Sequence, residues 1–203
     1  MIPWPRRKPK EIKPQSVVAP PGQFVTEKFP VFTHGDTPKI ALNEWRLRIY
    51  GLVDWEVTLD WNQFQALPQV AVTADFHCVT QWSRMNNLWE GVLFSEALNM
   101  AVVKPEARFV LFHCYGGYTT NMPLEALLGE DALFAHSHDG KALSPEHGGP
   151  MRLVAPKRYG WKSAKWVNGM ELLSKDKAGF WEQLGYNNNA DPWKEERFWE
   201  GLG

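Results

Sequence analysis

The chain is 203 residues long, 44% hydrophobic and 22% charged, with a formal net charge of −1. That length favours one domain of ordinary globular composition, and no apolar run approaches the roughly 18 residues of a membrane helix, which excludes an integral membrane protein. The near-zero charge offers no strong field to nucleic acid or an anionic membrane, and the 2 Cys are too few for a disulfide scaffold or an all-cysteine zinc site.

Residues 1–22 contain Pro3, Pro5, Pro9, Pro14, Pro20 and Pro21, and set Arg6, Arg7, Lys8, Lys10 and Lys13 against Glu11. This composition predicts an extended, Pro-rich basic arm, with residues 23–203 forming a single domain. No apolar stretch or small-residue cleavage site of an export signal follows Arg6-Arg7, so a cytoplasmic protein is expected. Apolar–polar alternation predicts strands at 45–51 and 70–78, with a shorter one at 57–59. Asp60 is placed to cap a helix over 61–67 that Pro68 ends. A polar loop is expected over 79–91, then a helix over 95–103, a strand over 108–114 and a helix over 122–128 with Pro123 in its first turn. His138-Asp139-Gly140 predicts a hairpin turn between 133–137 and 141–143. Further strands are expected at 151–155 and 164–173, and the turn-rich tail from Gly185 should pack back on the body. The predicted class is α+β, mixed β-sheets with short helices.

Cys78 stands at the end of a predicted strand, where a rigid scaffold can present a side chain to a ligand. A thiolate there is a soft ligand for a transition metal; a small buried hydrophobe is the alternative. From His147 to Met170 the chain carries Arg152, Lys157, Arg158, Lys162 and Lys165 and no carboxylate, together with Gly148, Gly149, Gly160 and the hydroxyl of Ser163. Such a stretch suits a phosphate or pyrophosphate, although its spacing is neither a Walker loop nor a dinucleotide fingerprint. A solvated basic face is the alternative. His77-Cys78, His113-Cys114 and His136-x-His138 offer a zinc site, but adjacent strand residues face opposite sides, so each His-Cys pair can give one member to a shared metal. The 11 Trp are irregularly spaced. Most should be core with a partnered indole N–H, while Trp82, Trp89 and Trp161 are placed to wall a flat heterocycle.

Three segments carry a family likeness: Phe76-His77-Cys78-Val79-Thr80-Gln81-Trp82-Ser83, Pro145-Glu146-His147-Gly148-Gly149-Pro150-Met151-Arg152-Leu153-Val154-Ala155-Pro156, and Tyr159-Gly160-Trp161-Lys162-Ser163-Ala164-Lys165-Trp166. They resemble the sulfite oxidase-like molybdopterin-binding oxidoreductases, and within them the bacterial branch of the protein-methionine-sulfoxide reductase catalytic subunit. The resemblance implies the sulfite oxidase-type fold without its C-terminal dimerisation domain, and molybdenum held by a single molybdopterin. It makes Cys78 the metal's thiolate ligand and the catalytic residue. Arg152, Ser163 and Lys165 match positions that bind the pterin and its phosphate, with Ala164 giving backbone between them and His147 a further pterin contact. Thr33 and His34 match N-terminal pterin contacts, and Cys114 falls where the reductase has a pterin-contacting Thr. Residues 79–83 lack the arginines that hold sulfite in the sulfite oxidases, leaving Arg84 and Arg158 as the nearby candidates. The implied activity is therefore two-electron oxo transfer or reduction, on a sulfoxide- or N-oxide-type substrate in preference to sulfite. The substrate would be a small molecule or an exposed side chain, with a separate electron-transfer partner, no nucleic acid and no membrane span. A non-catalytic pterin- or peptide-binding module on the same fold is the alternative.

Overall fold

The computed structural model describes residues 11–12 and 18–199 of the chain. Residues 1–10 and 13–17 of the expected arm lie outside the described residues. β1 (Glu11–Ile12) pairs in parallel with Ala71 and Val72 of a later strand, and β2 (Phe24–Val25) follows it. The alternating segment near 45–51 forms β3 (Arg46–Gly51), which buries Leu47 and Ile49 completely between exposed Arg46 and Arg48. β4 (Val57–Asp60) pairs antiparallel with it. Asp60 caps α1 (Trp61–Ala66) as expected. Its Oδ1 accepts from the Gln63 N–H at 2.8 Å, and Gln63 Oε1 accepts from the Asp60 N–H at 2.9 Å, a reciprocal capping box. β5 (Gln69–His77) then runs to the residue before Cys78.

The structure departs from the expected loop at 79–91. Most of it belongs to β6 (Trp82–Leu93), a 12-residue strand between β5 and a later strand. Ser83 and Asn87 made the stretch look solvated, yet both are buried. Ser83 Oγ lies 2.8 Å from His77 Nδ1, and Asn87 Nδ2 donates to Ala74 O at 3.2 Å, so their polarity is satisfied inside the sheet. The helix expected over 95–103 shortens to α2 (Phe94–Leu98), because the chain turns to bring Val103 into a bridge with Val53.

β7 (Phe109–Cys114) is followed by β8 (Thr119–Pro123). The expected helix at 122–128 thus gives way to strand and then a 3₁₀ turn (Leu124–Leu127), since Met122 pairs with Val110. β9 (Leu133–His138) and β10 (Lys141–Ala142) form the expected hairpin. Asp139 and Gly140, at φ 49° and 72°, supply its left-handed turn. β11 (Arg152–Val154) and β12 (Val167–Leu173) complete the strands. β12 begins later than expected because Trp166 takes φ 57° and interrupts the run. α3 (Phe180–Gln183) precedes the tail, which folds on itself through a Tyr186–Phe198 bridge and meets the body where the Tyr159 N–H donates to Ala190 O at 2.9 Å.

Among the described residues these strands build two sheets. One has seven strands, in the order β1-β5-β6-β9-β10 with β11 beside β9 and β2 beside β6; the other has five, in the order β4-β3-β12-β7-β8. Both mix parallel and antiparallel pairs, as at β3–β12 and β12–β7. The main core draws on both sheets, with Leu47, Ile49, Phe94, Phe112, Phe134 and Met170 in one buried cluster. Leu133 and Ala135 alternate with Phe134 and point the other way, joining Val72, Phe76, Trp82 and Trp89 in a second cluster. The seven-stranded sheet is therefore buried on both faces. Cys114 lies in the first cluster and Cys78 in the second.

Candidate active site

Cys78 sits in the tight turn from β5 to β6. Its N–H donates to Trp82 O at 2.8 Å, the Gln81 N–H returns to Cys78 O at 3.1 Å, and Gln81 adopts φ 70° to close the turn. Gln23 Nε2 also donates to Cys78 O, at 3.2 Å, while Gln23 Oε1 accepts from Ser83 Oγ at 3.2 Å. The peptide that carries the thiol is thereby tied from both sides. Sγ itself lies 3.1 Å from Thr80 Oγ1.

Cys78 lines a cavity of about 370 Å³, within the range of small-molecule and cofactor sites. Thr33, His34, His147, Arg152, Ser163, Ala164 and Lys165 line it too, so eight of the nine residues singled out from the sequence meet there. The rest of the wall is mainly aromatic, and the lining includes no carboxylate. Residues 29–34 reach the cavity from outside both sheets. Lys165 Nζ holds them by donating to Phe32 O at 2.7 Å as well as to Glu146 O at 2.5 Å, and Phe29 stacks on the His147 ring at 4.8 Å.

The electrostatics centre on Arg152. Its guanidinium donates to Ser163 O at 2.8 Å and His147 O at 3.1 Å, and its Cζ stands 5.3 Å from the Phe76 ring and 5.6 Å from the Trp89 ring. Arg152 is 2% exposed, and no carboxylate among the described residues pairs with it. Burial alone lowers it to about 10. Burial, followed by the repulsion of Arg152, lowers Lys165 to about 8. His147 is lowered as well, by burial and then by Arg152 and Lys165. Glycine matters at two points of this cradle. A Cβ on Gly148, at φ 103°, would meet Cβ of both Arg152 and Lys165 at 3.0–3.1 Å, and one on Gly160 would meet the Phe76 ring at 2.6 Å.

Other expectations are redistributed. Cys114 does not line the cavity; it is packed in the main core, where burial raises its thiol. The basic stretch divides, because successive side chains point in different directions. Arg152 and Lys165 face the cavity, Lys162 is buried against Glu182, Lys157 pairs with Asp131 at 3.0 Å, and Arg158 Nη1 donates to Lys157 O. Arg84 is engaged by Asp139 at 2.6 Å and by His138 and Asn87. The histidines are separately committed as well, His113 to Glu171 and His136 to Gln69. No three His, Cys, Asp or Glu side chains converge as metal ligands among the described residues. Trp82 and Trp161 line the cavity, whereas Trp89 is fully buried behind it. The indoles of Trp161 and Trp166 find partners, but the buried N–H groups of Trp45, Trp82 and Trp89 have none among the described residues.

Several lining residues carried no sequence signal. Phe29, Tyr118, Trp181 and Tyr186 come from separate segments, and each reads locally as ordinary packing. Gln23 likewise shows its link to Cys78 only in space.

One buried and one half-buried histidine, His77 and His138, make acid stability testable. Burial pushes His77 and His138 down to about 4 from 6.5. Unfolding lets both take up protons, so stability is complete above pH 6.5 and is lost as pH falls toward 4. The loss reaches about 3 kcal/mol for each imidazole. His136 and His147 are lowered too and add in the same direction. Urea midpoints measured from pH 7 to 4 should fall across this window; a flat midpoint would contradict the burial of both rings.

Comparison with known proteins follows the same lines. A family model described as the oxidoreductase molybdopterin binding domain matches residues 34–181. The uncharacterized oxidoreductase YuiH of Bacillus subtilis is 44% identical over 185 residues, which cover 91% of this chain and 93% of YuiH. The protein-methionine-sulfoxide reductase catalytic subunit MsrP of Campylobacter jejuni is 28% identical over 176 residues, covering 73% of this chain and 57% of MsrP. The crystal structure of the sulfane dehydrogenase SoxCD from Paracoccus pantotrophus matches with a TM-score of 0.64 and 26% identity, over 70% of this chain and 41% of that one. The chain thus spans nearly all of YuiH but only part of MsrP and SoxCD. No helix among the described residues is long and apolar enough to cross a membrane.

Proposed function

The chain belongs to the oxidoreductase molybdopterin-binding domain family and is a molybdopterin enzyme, and from that premise we propose how its cavity works. Cys78 is the protein's ligand to molybdenum carried on a single pterin. The enzyme performs two-electron oxo transfer or reduction on a sulfoxide- or N-oxide-type substrate, with a separate protein exchanging its electrons.

The observation that carries this reading is a buried cation without a counter-ion among the described residues, on the wall of a cavity that also holds a free thiol. A desolvated guanidinium of this kind calls for an anion, which a pterin phosphate provides. The donor set fits the metal as well, since a thiolate is a soft ligand. When bound, molybdenum on its pterin supplies a two-electron redox centre that can exchange an oxygen atom with substrate.

The chain's own residues bind and orient that group. Arg152 presents a planar fork of donors and Lys165 a point charge. Ser163 Oγ already accepts from the Ala155 N–H at 3.0 Å, so its hydroxyl proton is free to donate. Thr33 and His34 close the same cavity from the N-terminal segment, and His147 offers a largely neutral ring at pH 7. Substrate preference is supported by the placement of charge. Arg84 and Arg158 are held elsewhere and do not line the cavity, so a free oxyanion meets only the cradle cations. An oxo group borne on an apolar carrier meets aromatic faces.

Protein expressed with molybdate is assayed for reduction of sulfoxides and N-oxides with a reduced viologen dye, and for sulfite oxidation with ferricyanide. Reduction without sulfite oxidation is expected. Sulfite oxidation alone overturns the substrate assignment, and metal-loaded protein inert in both assays overturns the proposal.

A further inference from the structure

Part of the cavity wall is held by a charge pair that the cofactor cradle does not use. Lys162 and Glu182 have fully buried side chains, with Nζ 2.7 Å from Oε1. Each directly follows a cavity-lining indole. Trp161 precedes Lys162 in the 3₁₀ turn Gly160–Lys162, and Trp181 precedes Glu182 in α3. Glu182 Oε1 also accepts from Trp161 Nε1 at 2.9 Å and from Thr120 Oγ1 at 3.0 Å. Lys162 Nζ donates to Asn121 O at 2.7 Å and to Asn121 Oδ1 at 3.0 Å, and Tyr118 OH donates to Trp161 O at 2.7 Å. The pair therefore ties the turn and α3 to each other and to β8.

The rings so placed pack on one another. Trp161 lies edge-on to Tyr186 at 5.1 Å, and Trp181 is 5.0 Å from Tyr186. The cradle cations instead face Phe29, Phe76, Trp89 and Trp166. Tyr186 also lines the same cavity as Cys78. Buried ion pairs contribute little net stability, because desolvation offsets their attraction. Their directional hydrogen bonds do fix geometry, and the geometry fixed here is that of two indoles.

We propose that Lys162 and Glu182 are positioning residues for a specificity wall made by Trp161, Trp181 and Tyr186. The wall receives the apolar group that carries the oxo function and sets how large that group can be. This inference rests on the molybdopterin-site proposal and adds to it the residues that choose the substrate.

Two conservative variants test it. Glu182→Gln removes the charge and keeps the shape, while Trp161→Phe keeps a ring, removes the N–H donor and leaves the ion pair intact. Each is titrated calorimetrically with methyl phenyl sulfone, an unreducible analogue, and assayed on dimethyl and methyl phenyl sulfoxide, with molybdenum measured alongside. Sulfone affinity and KM for the larger sulfoxide should weaken about five- to tenfold, with a smaller change in kcat and molybdenum retained. Trp161→Ala and Trp181→Ala should weaken sulfone binding further. If Glu182→Gln does not fold, Trp161→Phe decides. Unchanged sulfone affinity in Trp161→Phe and both alanine variants overturns the inference, as does a loss of molybdenum that parallels the loss of affinity. Wild-type protein that binds sulfone through these rings but holds no molybdenum supports the wall and overturns the cofactor proposal.

Discussion

Cys78→Ser is expected to strip molybdenum from the protein while leaving its fold in place. The bonds that hold the turn, from the Cys78 N–H to Trp82 O and from the Gln81 N–H and the Gln23 side-chain amide to Cys78 O, do not involve the thiol. The only side-chain partner among the described residues is the hydroxyl of Thr80, which a serine can also meet. The folding cost of the exchange is therefore small, about 1 kcal/mol. The metal loses its soft donor, because a serine oxygen is a harder ligand and its hydroxyl gives up a proton to a metal far less easily than a thiol does. Even residues that only support metal ligands affect affinity or activity by 10–100-fold, so loss of the ligand itself should reduce turnover by at least about a hundredfold. Metal analysis and thermal melting of the two proteins check the split, and equal molybdenum in both would refute the ligand assignment. Cys114→Ser is the matching control. That thiol is packed among core side chains and does not line the cavity, so stability should fall and molybdenum should not.

Arg152→Met should separate cofactor retention from folding. In the cofactor-free protein the guanidinium is a liability, since lowering it from 12.5 to about 10 corresponds to about 3 kcal/mol of desolvation. Its bonds to Ser163 O and His147 O offset this by about 1.5–3 kcal/mol each. Methionine fills the ring-lined slot and removes the buried charge but leaves those carbonyls unpaired, so stability without cofactor should fall by no more than about 3 kcal/mol. With cofactor present the balance shifts. Two charge-assisted bonds to a phosphate would be lost, weakening affinity by about a hundredfold or more and removing about 2.7 kcal/mol or more of ligand-linked stability. The observable is the gap in melting temperature between loaded and cofactor-free protein, wide in wild type and nearly closed in the variant. Wild-type pterin content in Arg152→Met would sink the phosphate role. Arg152→Lys should recover part of the loss, because it restores the charge without the planar fork.

The sequence was most legible where structure is set by near neighbours. The Asp60–Gln63 capping box, the Asp139-Gly140 turn and the alternation of β3 and β5 depend on residues a few positions apart, and they formed where expected. The segments read incorrectly depend on distant strands. Residues 82–91 look like a polar loop until β5 and β9 flank them, and Met122 joins a strand because Val110 lies opposite. Polar composition implies exposure only when no partner waits inside, and Ser83 and Asn87 have theirs in His77 and Ala74.

The same division runs through the site. By itself the sequence determined the kinds of group available: a thiol at a strand end, cations without interspersed acid, and glycines where backbones approach closely. These are properties of residue type and local order. Tertiary structure alone decided which of them share a cavity. It turned Arg152 and Lys165 inward to the site, Lys162 to Glu182, and Arg84 to Asp139. It also sent Cys114 to the core and recruited Phe29, Tyr118, Trp181 and Tyr186 from segments far apart in the chain. Which way a side chain faces is set by the strand or ring packed beside it, and that neighbour is chosen by burial and pairing across the whole molecule.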